Sequence, residues 1–293
     1  RTMSGAIDLR VLRQAQHEWI VPTEKIRCVG NRRRTRLKQP AIASAPTGPS
    51  LSIPAIIAAM LREGGTMSAE LLSRLKARIQ EKNLLKHPFY QEWQAGRLTL
   101  DDLRTYAAQY YQFEANFPVM LSAIHSRCPD PDVRQIILDN LWDEEHGPMN
   151  HAFLWLQFAA GLGLTRKDVL QAQVLPETNR LVNTLKEITS TGSYQEGLAA
   201  MYAYEAQVPA IAAEKVLGLQ QFYGISSPEA TEFFTLHMGL DMEHSGKEAK
   251  AIAGRRLTPE QEGTVERALD RALDVLWGFL DGVQRVRTVA EPV

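Results

Sequence analysis

The sequence predicts an all-α fold of about seven to eight helices for residues 67–293. Apolar residues recur every three or four positions through most of this segment, which is the spacing of one face of an α-helix. No segment of useful length alternates apolar and polar residues as a half-buried strand would. Because 44% of the residues are hydrophobic, the chain can bury one substantial core.

Capping and turn residues divide this segment into helices. Ser68 is predicted to cap the first helix, and breaks are expected at Asp130-Pro131, at Gly161 to Gly163, at Gly192 and Gly224, and before Pro228. The predicted helices lie near residues 68–83, 88–96, 100–126, 130–160, 177–190, 194–222, 227–254 and 258–283.

Residues 1–66 differ in composition from the rest. They carry a formal charge of +7 against −8 for the remainder, and they include the run Arg32-Arg33-Arg34 followed by a segment rich in Pro, Ala and Ser. We expect them to form a disordered, dispensable extension, or an over-extended start before Met67. A nucleic-acid arm and a targeting segment are the alternatives, although the acidic residues within it fit a transit peptide poorly.

The cysteine content and the apolar runs indicate the cellular environment and the kinds of partner that we expect for this chain. Only Cys28 and Cys128 are present, which suits a reducing cytoplasm. The longest apolar run, residues 53–61, is far shorter than the roughly 20 residues needed to span a bilayer. We therefore expect no membrane span and no nucleic-acid binding by the folded domain, and the question of a homodimer stays open.

Three residues of one predicted helix form a metal-binding pattern. His237, Asp241 and His244 stand at i, i+4 and i+7, which places them within an arc of about 60°. Two imidazoles and a carboxylate on one stripe are costly to bury without a partner. The spacing therefore favours metal ligation over three hydrogen-bonded core residues.

A second group of acids and histidines lies at residues 143–151. Glu144 and His151 differ by about 20° around a continuous helix, whereas Glu144 and His146 differ by about 160°. We therefore choose Glu144 and His151 as ligands, although Gly147 and Pro148 would alter this geometry if they kink the helix.

Glu205 is the only acid in the apolar segment 199–213. Together with the residues above it gives three carboxylates and three histidines from three helices, a set that suits two divalent iron or manganese ions in a bundle. The alternative is a set of structural ion pairs with Arg180, Lys186 and Lys215.

An internal repeat relates two parts of the chain. Tyr111-x-x-Glu114-Ala-Asn-x-Pro118 is similar to Tyr202-x-x-Glu205-Ala-Gln-x-Pro209. Each proline follows its glutamate by four residues inside a predicted helix, where a kink is expected. Glu114 is left out of the ligand set. Three roles stay open for it: an acid that contacts the ligands, an extra ligand, or an exposed residue.

Lys215 and Tyr90 are the remaining candidates. Lys215 shares an apolar helical stripe with Val208, Ile211 and Leu219, so it either extends its amine to the surface or is buried as a neutral amine. Tyr90 begins a short aromatic segment in which packing is its ordinary role.

These residues resemble a known family. The motifs that carry the resemblance are Lys86-His-Pro-Phe-Tyr-Gln-Glu-Trp93, Ser122-Ala-Ile-His-Ser-Arg-Cys128, Asp143-Glu-Glu-His-Gly-Pro-Met-Asn-His151, Tyr202-Ala-Tyr-Glu-Ala-Gln-Val-Pro209 and His237-x3-Asp241-x2-His244. Over residues 68–285 the chain resembles the haem-oxygenase-like dimetal oxidases of the pyrroloquinoline-quinone synthase-like superfamily. It is most similar to the branch of the chlamydial death-domain-associating protein.

The resemblance implies a haem-oxygenase-like helical bundle and a function. It assigns metal ligation to Glu144, His151, Glu205, His237, Asp241 and His244, with an Fe/Fe or Mn/Fe pair, dioxygen as co-substrate and an external reductant. It further implies a self-sacrificing p-aminobenzoate synthase for folate synthesis, an oxidoreductase in which Tyr90 supplies the ring and Lys215 the nitrogen.

Two other functions compete with this reading. One is a metal-free enzyme similar to pyrroloquinoline-quinone synthase or the thiaminases, in which the histidines would bind an organic substrate. The other is a protein-interaction module without catalysis, for which His237 and Asp241 would be dispensable.

Overall fold

The computed structural model describes residues 69–254 and 256–287, without the side chains of residues 241–243. Twelve α-helices and one short 3-10 helix, Leu84–Lys86, make up this part of the chain, and no strand occurs in it. The α-helices are α1 (69–81), α2 (Pro88–Gln94), α3 (Leu100–Glu114), α4 (Phe117–Arg127), α5 (Pro131–Glu145), α6 (His151–Gly161), α7 (Arg166–Leu170), α8 (Pro176–Thr191), α9 (Tyr194–Glu205), α10 (Val208–Phe222), α11 (Pro228–Ala253) and α12 (Pro259–Arg285). The predicted all-α class is confirmed, while the expectations for residues 1–66, Met67 and Ser68 lie outside the described residues.

Local sequence explains where these helices begin. Thr99, Thr165, Ser193 and Thr258 each form a capping box with the residue three positions later. Their hydroxyl groups accept a hydrogen bond from a first-turn N–H that has no partner within the helix. Proline occupies the first position of α2, α5, α8, α11 and α12, where its missing N–H costs nothing.

The predicted kinks at Pro118 and Pro209 are complete breaks. α3 ends at Glu114 and α9 ends at Glu205. After two further residues a new helix begins in each case, and its second residue is the proline. Proline lacks the N–H that a continuing helix would need, whereas the first turn of a new helix does not need it. The two predicted helices 100–126 and 194–222 are therefore wrong, since each is a pair of helices.

The predicted helix 130–160 is also wrong. α5 ends at Glu145 and α6 begins at His151. Gly147 has a φ of +80°, which non-glycine residues rarely adopt. The Asn150 side chain then caps α6 by accepting a hydrogen bond from the Phe153 N–H.

The helices that carry the candidate site pack around α11. This helix contacts α5, α6, α9 and α10, while α9 also packs along α12 and α3 packs against α6. A ladder of ion pairs joins α1 to α12, and α1 buries Leu71, Leu75 and Ile79. The pairs join Arg74 to Glu262 and Glu266, Arg78 to Glu266 and Asp270, and Lys82 to Asp274.

None of the described helices combines the length and the apolar character that a membrane span requires.

Candidate active site

Glu144 and His151 lie side by side although no continuous helix joins them. His151 is the first residue of α6 and Glu144 the penultimate residue of α5, and the His151 Nδ1 atom is 2.8 Å from the Glu144 Oε2 atom. Both side chains are buried, and the approach does not have hydrogen-bond geometry, so Nδ1 has no hydrogen-bond partner. Burial lowers the pKa of His151, but the Glu144 carboxylate outweighs it and leaves that pKa above its usual value.

His237 faces this pair from α11. Its ring centre is 4.4 Å from that of His151, and its Nδ1–H donates a hydrogen bond of 2.6 Å to the Phe233 carbonyl. That bond fixes the tautomer and leaves Nε2 as a lone-pair donor. Burial and the neighbouring His151 lower the pKa of His237 well below its usual value, which keeps the ring neutral as a ligand must be.

Glu114 joins the two histidines, although sequence reasoning left it out of the ligand set. Glu114, His151 and His237 each offer a ligand atom, and these atoms lie within 4.8 Å of one another. The Glu114 side chain is buried, and its Oε1 atom has no hydrogen-bond partner among the described residues. Burial and the Glu144 charge raise its pKa above the usual value.

Glu205 lies at the end of α9 and is held by Asn140 of α5. The Asn140 Nδ2 group donates a hydrogen bond of 2.9 Å to Glu205 Oε1, while Glu205 Oε2 is buried without a hydrogen-bond partner. Burial raises the pKa of Glu205, as does the charge of Glu144. Asn140 was missed in the sequence, although it lies one helical turn before Glu144.

The other two predicted ligands lie further along α11. The Nε2 atom of His244 is 3.0 Å from Asp143 Oδ2, and its Nδ1 atom is buried without a hydrogen-bond partner. Asp143 thereby orients His244 as carboxylates often orient metal-binding histidines. The side chain of Asp241 lies outside the described residues.

These residues fit a metal centre better than structural ion pairs. Among the described residues, no Lys or Arg forms an ion pair with Glu114, Glu144 or Glu205. Buried polar atoms that lack partners are costly. Here Glu114 Oε1, Glu205 Oε2 and His244 Nδ1 have no hydrogen-bond partner, and His151 Nδ1 has only the Glu144 carboxylate beside it. Carboxylate and imidazole groups are typical ligands of iron and manganese.

Beside this cluster lies a cavity that contains Lys215 and Tyr90. Lys215 is only 4% exposed, and its Nζ donates a hydrogen bond of 2.7 Å to the Tyr106 hydroxyl oxygen. The Tyr106 and Tyr90 hydroxyl groups share a further hydrogen bond of 3.1 Å. The snorkelling alternative for Lys215 is therefore wrong, since its amine points into the core.

Aromatic rings surround the Lys215 amine. Its Nζ lies 5.0 to 5.6 Å from the ring centres of five residues, namely Tyr90, Tyr106, Tyr110, Trp155 and Phe234. Burial lowers its pKa to about 7, while the charge of Glu114 acts in the opposite direction. Near neutral pH a large share of Lys215 is therefore an uncharged amine.

Comparison with known proteins places the chain in a family. Residues 104–277, more than half of the sequence, match the haem-oxygenase-like family described as iron-containing redox enzymes. The chain belongs to this family. Membership makes it an oxidoreductase, and the histidine and carboxylate cluster is compatible with the metal that the family description names.

Two groups of curated enzymes are similar to this haem-oxygenase-like protein. The 4-aminobenzoate synthase of Nitrosomonas europaea is 44% identical over 70% of this chain and 87% of its own length. The 4-aminobenzoate synthase of Chlamydia muridarum is 40% identical over 73% of this chain and 90% of its own. Pyrroloquinoline-quinone synthases match at lower identity, for example 26% for the Acidiphilium cryptum enzyme.

The fold is shared with solved structures. A TenA homologue from Pseudomonas syringae superposes on 75% of this chain and 92% of its own with a TM-score of 0.62, at 20% sequence identity. The haem-oxygenase-like helical fold that the sequence resemblance implied is therefore confirmed.

Three polar residues of the site were not identified as ligands or partners from the sequence. Glu114 carried a signal, because the internal repeat equates it with Glu205, and Asn140 lies on the same face of α5 as Glu144. Tyr106 carried none, because its contact with Lys215 depends on how α3 and α10 lie around the core.

Proposed function

We propose that this chain forms p-aminobenzoate for folate synthesis from its own side chains, with Tyr90 as the source of the ring and Lys215 as the source of the nitrogen. The observation that carries the proposal is the placement of Lys215 Nζ 5.6 Å from the centre of the Tyr90 ring, inside a buried cavity. The Tyr106 hydroxyl bonds to both groups. Curated relatives named 4-aminobenzoate synthase support the same product.

The amine must be neutral to act as a nucleophile. Desolvation of Lys215 by its aromatic neighbours lowers its pKa to about 7, so an uncharged lone pair is available near neutral pH. Burial raises the pKa of the Tyr90 hydroxyl well above its usual value, so this ring stays a neutral phenol before reaction. Tyr106 holds the two groups in one orientation, which reduces the entropic cost of their encounter.

The required bond changes define what else is needed. The Cα–Cβ bond of Tyr90 breaks, Cβ is oxidised to the carboxyl carbon, and the para oxygen is exchanged for nitrogen. Acid–base residues alone do not supply such an oxidation. A reduced Fe/Fe or Mn/Fe pair, with dioxygen as co-substrate and an external reductant, would supply the oxidising chemistry. Because the chain consumes its own Tyr90, each molecule completes one turnover at most.

We propose six side chains as the holders of that metal pair. They are Glu144, His151, Glu205, His237, Asp241 and His244. The close approach of Glu144 to His151 supports this assignment, as do the buried Glu205 Oε2 and His244 Nδ1 atoms, which have no hydrogen-bond partner.

Isotope labelling tests the proposal. Protein made with tyrosine labelled by heavy carbon in the ring and lysine labelled by heavy nitrogen at Nζ is loaded with iron and manganese, reduced and exposed to oxygen. Mass spectrometry should find p-aminobenzoate carrying both labels and a protein that has lost mass at Tyr90. Tyr90→Phe and Lys215→Arg should give no product.

Tyr194→Phe and Lys186→Arg make the same substitutions outside the cavity and should leave the yield unchanged. Unlabelled product, or full yield from Tyr90→Phe, would refute the self-sacrifice. Failure of the wild-type protein to take up iron or manganese would instead favour the metal-free enzyme.

A further inference from the structure

Glu114 is a buried carboxylate that the six proposed ligands do not include. It is 3% exposed, and a ligand atom of its side chain lies within 4.8 Å of those of His151 and His237. Two atoms that bind one ion at about 2.1 Å lie up to about 4.2 Å apart, so a shift of about half an ångström would let all three share an ion. Its Oε1 atom has no hydrogen-bond partner among the described residues.

The internal repeat makes Glu114 the structural counterpart of Glu205. Each is the last residue of its helix, α3 or α9, and each is followed by two non-helical residues and a helix with proline in second position. A carboxylate at a helix C-terminus faces the negative end of the helix dipole, which is unfavourable unless a cation is close. No Lys or Arg forms an ion pair with either one in the described part of the chain, and Lys215 acts on Glu114 only at longer range.

The charge balance of the proposed metal centre also favours Glu114 as a ligand. Two divalent ions carry four positive charges, whereas Glu144, Glu205 and Asp241 together carry three negative charges. Adding Glu114 makes the buried centre neutral. An uncompensated charge in a buried site is expensive, so the fourth carboxylate is favoured.

We propose that Glu114 is a fourth carboxylate ligand of the metal centre and binds the ion that His151 and His237 share. This inference rests on the proposed function, because it requires that centre to exist. It adds a ligand to the set that the family resemblance implies, since that set does not require a carboxylate at this position.

Manganese binding by the metal-free protein tests the assignment without turnover. Mn²⁺ alone is titrated into wild type and Glu114→Gln, free Mn²⁺ is followed by electron paramagnetic resonance, and bound metal is counted after gel filtration. Wild type should bind two ions per chain. Glu114→Gln should bind one of them at least tenfold more weakly, a loss typical of a ligand.

Matched variants make the result specific. Glu214→Gln removes the same charge from α10 and should bind as wild type, while Glu205→Gln should weaken one ion as Glu114→Gln does. Circular dichroism checks the fold, and Glu114→Asp, which keeps the charge but shortens the reach, replaces Gln if the latter does not fold. Two ions bound by Glu114→Gln with wild-type affinity would overturn only the role of Glu114. No uptake by wild type would overturn the proposed function as well.

Discussion

The amine nitrogen of Lys215 lies 5.6 Å from the centre of the Tyr90 ring, with the Tyr106 hydroxyl hydrogen-bonded to both residues. α2, α3 and α10 each contribute one member of this trio. The contact is therefore a product of the tertiary fold, and its energetics can be measured in the metal-free protein, independently of turnover.

Tyr106→Phe should destabilise the protein. The substitution leaves the buried Lys215 amine and Tyr90 hydroxyl without their shared partner, at a cost of about 1–3 kcal/mol in the free energy of unfolding. Urea denaturation measures this cost, and Tyr111→Phe on the half-buried face of α3 should change it by less than about 0.5 kcal/mol. In a double-mutant cycle with Lys215→Met, additive effects would argue against a coupled network.

Lys215→Met should stabilise the protein at neutral pH. Folding lowers the Lys215 pKa from 10.5 to about 7, so between these values the unfolded state binds more protons and the wild type gains stability as pH rises. The penalty removed by Met is on the order of 5 kcal/mol below pH 7 and vanishes towards pH 10.5. Urea denaturation of both proteins from pH 6 to 10 gives the difference, which reports Lys215 together with Glu114, because the charges of these two groups interact. A pH-independent difference would mean that Lys215 keeps its ordinary pKa.

Gly147 provides a test of the break that brings Glu144 to His151. A Cβ at this position meets no atom within 4 Å, so Gly147→Ala should cost only the backbone strain of its φ of +80°, about 1–2 kcal/mol. Gly278 lies within α12 and also has open space around it, so Gly278→Ala should raise the free energy of unfolding by about 0.5–1 kcal/mol. Equal effects of the two substitutions in thermal or urea denaturation would contradict the left-handed conformation at Gly147.

The sequence predicted the helical class better than the helix boundaries. The sequence pairs Glu144 with His151 on the assumption of a continuous helix, which is wrong. They meet across a break in which Gly147 has a positive φ and Asn150 caps α6. Pro118 and Pro209 each stand in the first turn of a new helix after a complete break, whereas the sequence predicts only a kink there. Periodicity reports which face of a helix is buried and not which helices become neighbours, so the Lys215–Tyr106 contact could not be derived from it.

His87 positions the helix that carries Tyr90. Its side chain is fully buried, Nδ1 accepts a hydrogen bond from the Phe89 N–H as the cap of α2, and Nε2 lies 3.0 Å from Asp281 Oδ1. His87→Ala should lower the free energy of unfolding by about 1–2 kcal/mol, whereas His87→Asn, which retains a capping oxygen, should lose less.

Protonation of His87 at Nδ1 would break the cap, and burial lowers the pKa of His87 below 6.5 although Asp281 opposes this. Since the unfolded state then binds the proton more tightly, the wild type should lose stability as pH falls below about 6.5, and His87→Asn should lose less over the same range. Identical pH profiles for wild type and His87→Asn in urea denaturation would show that His87 does not titrate in this way.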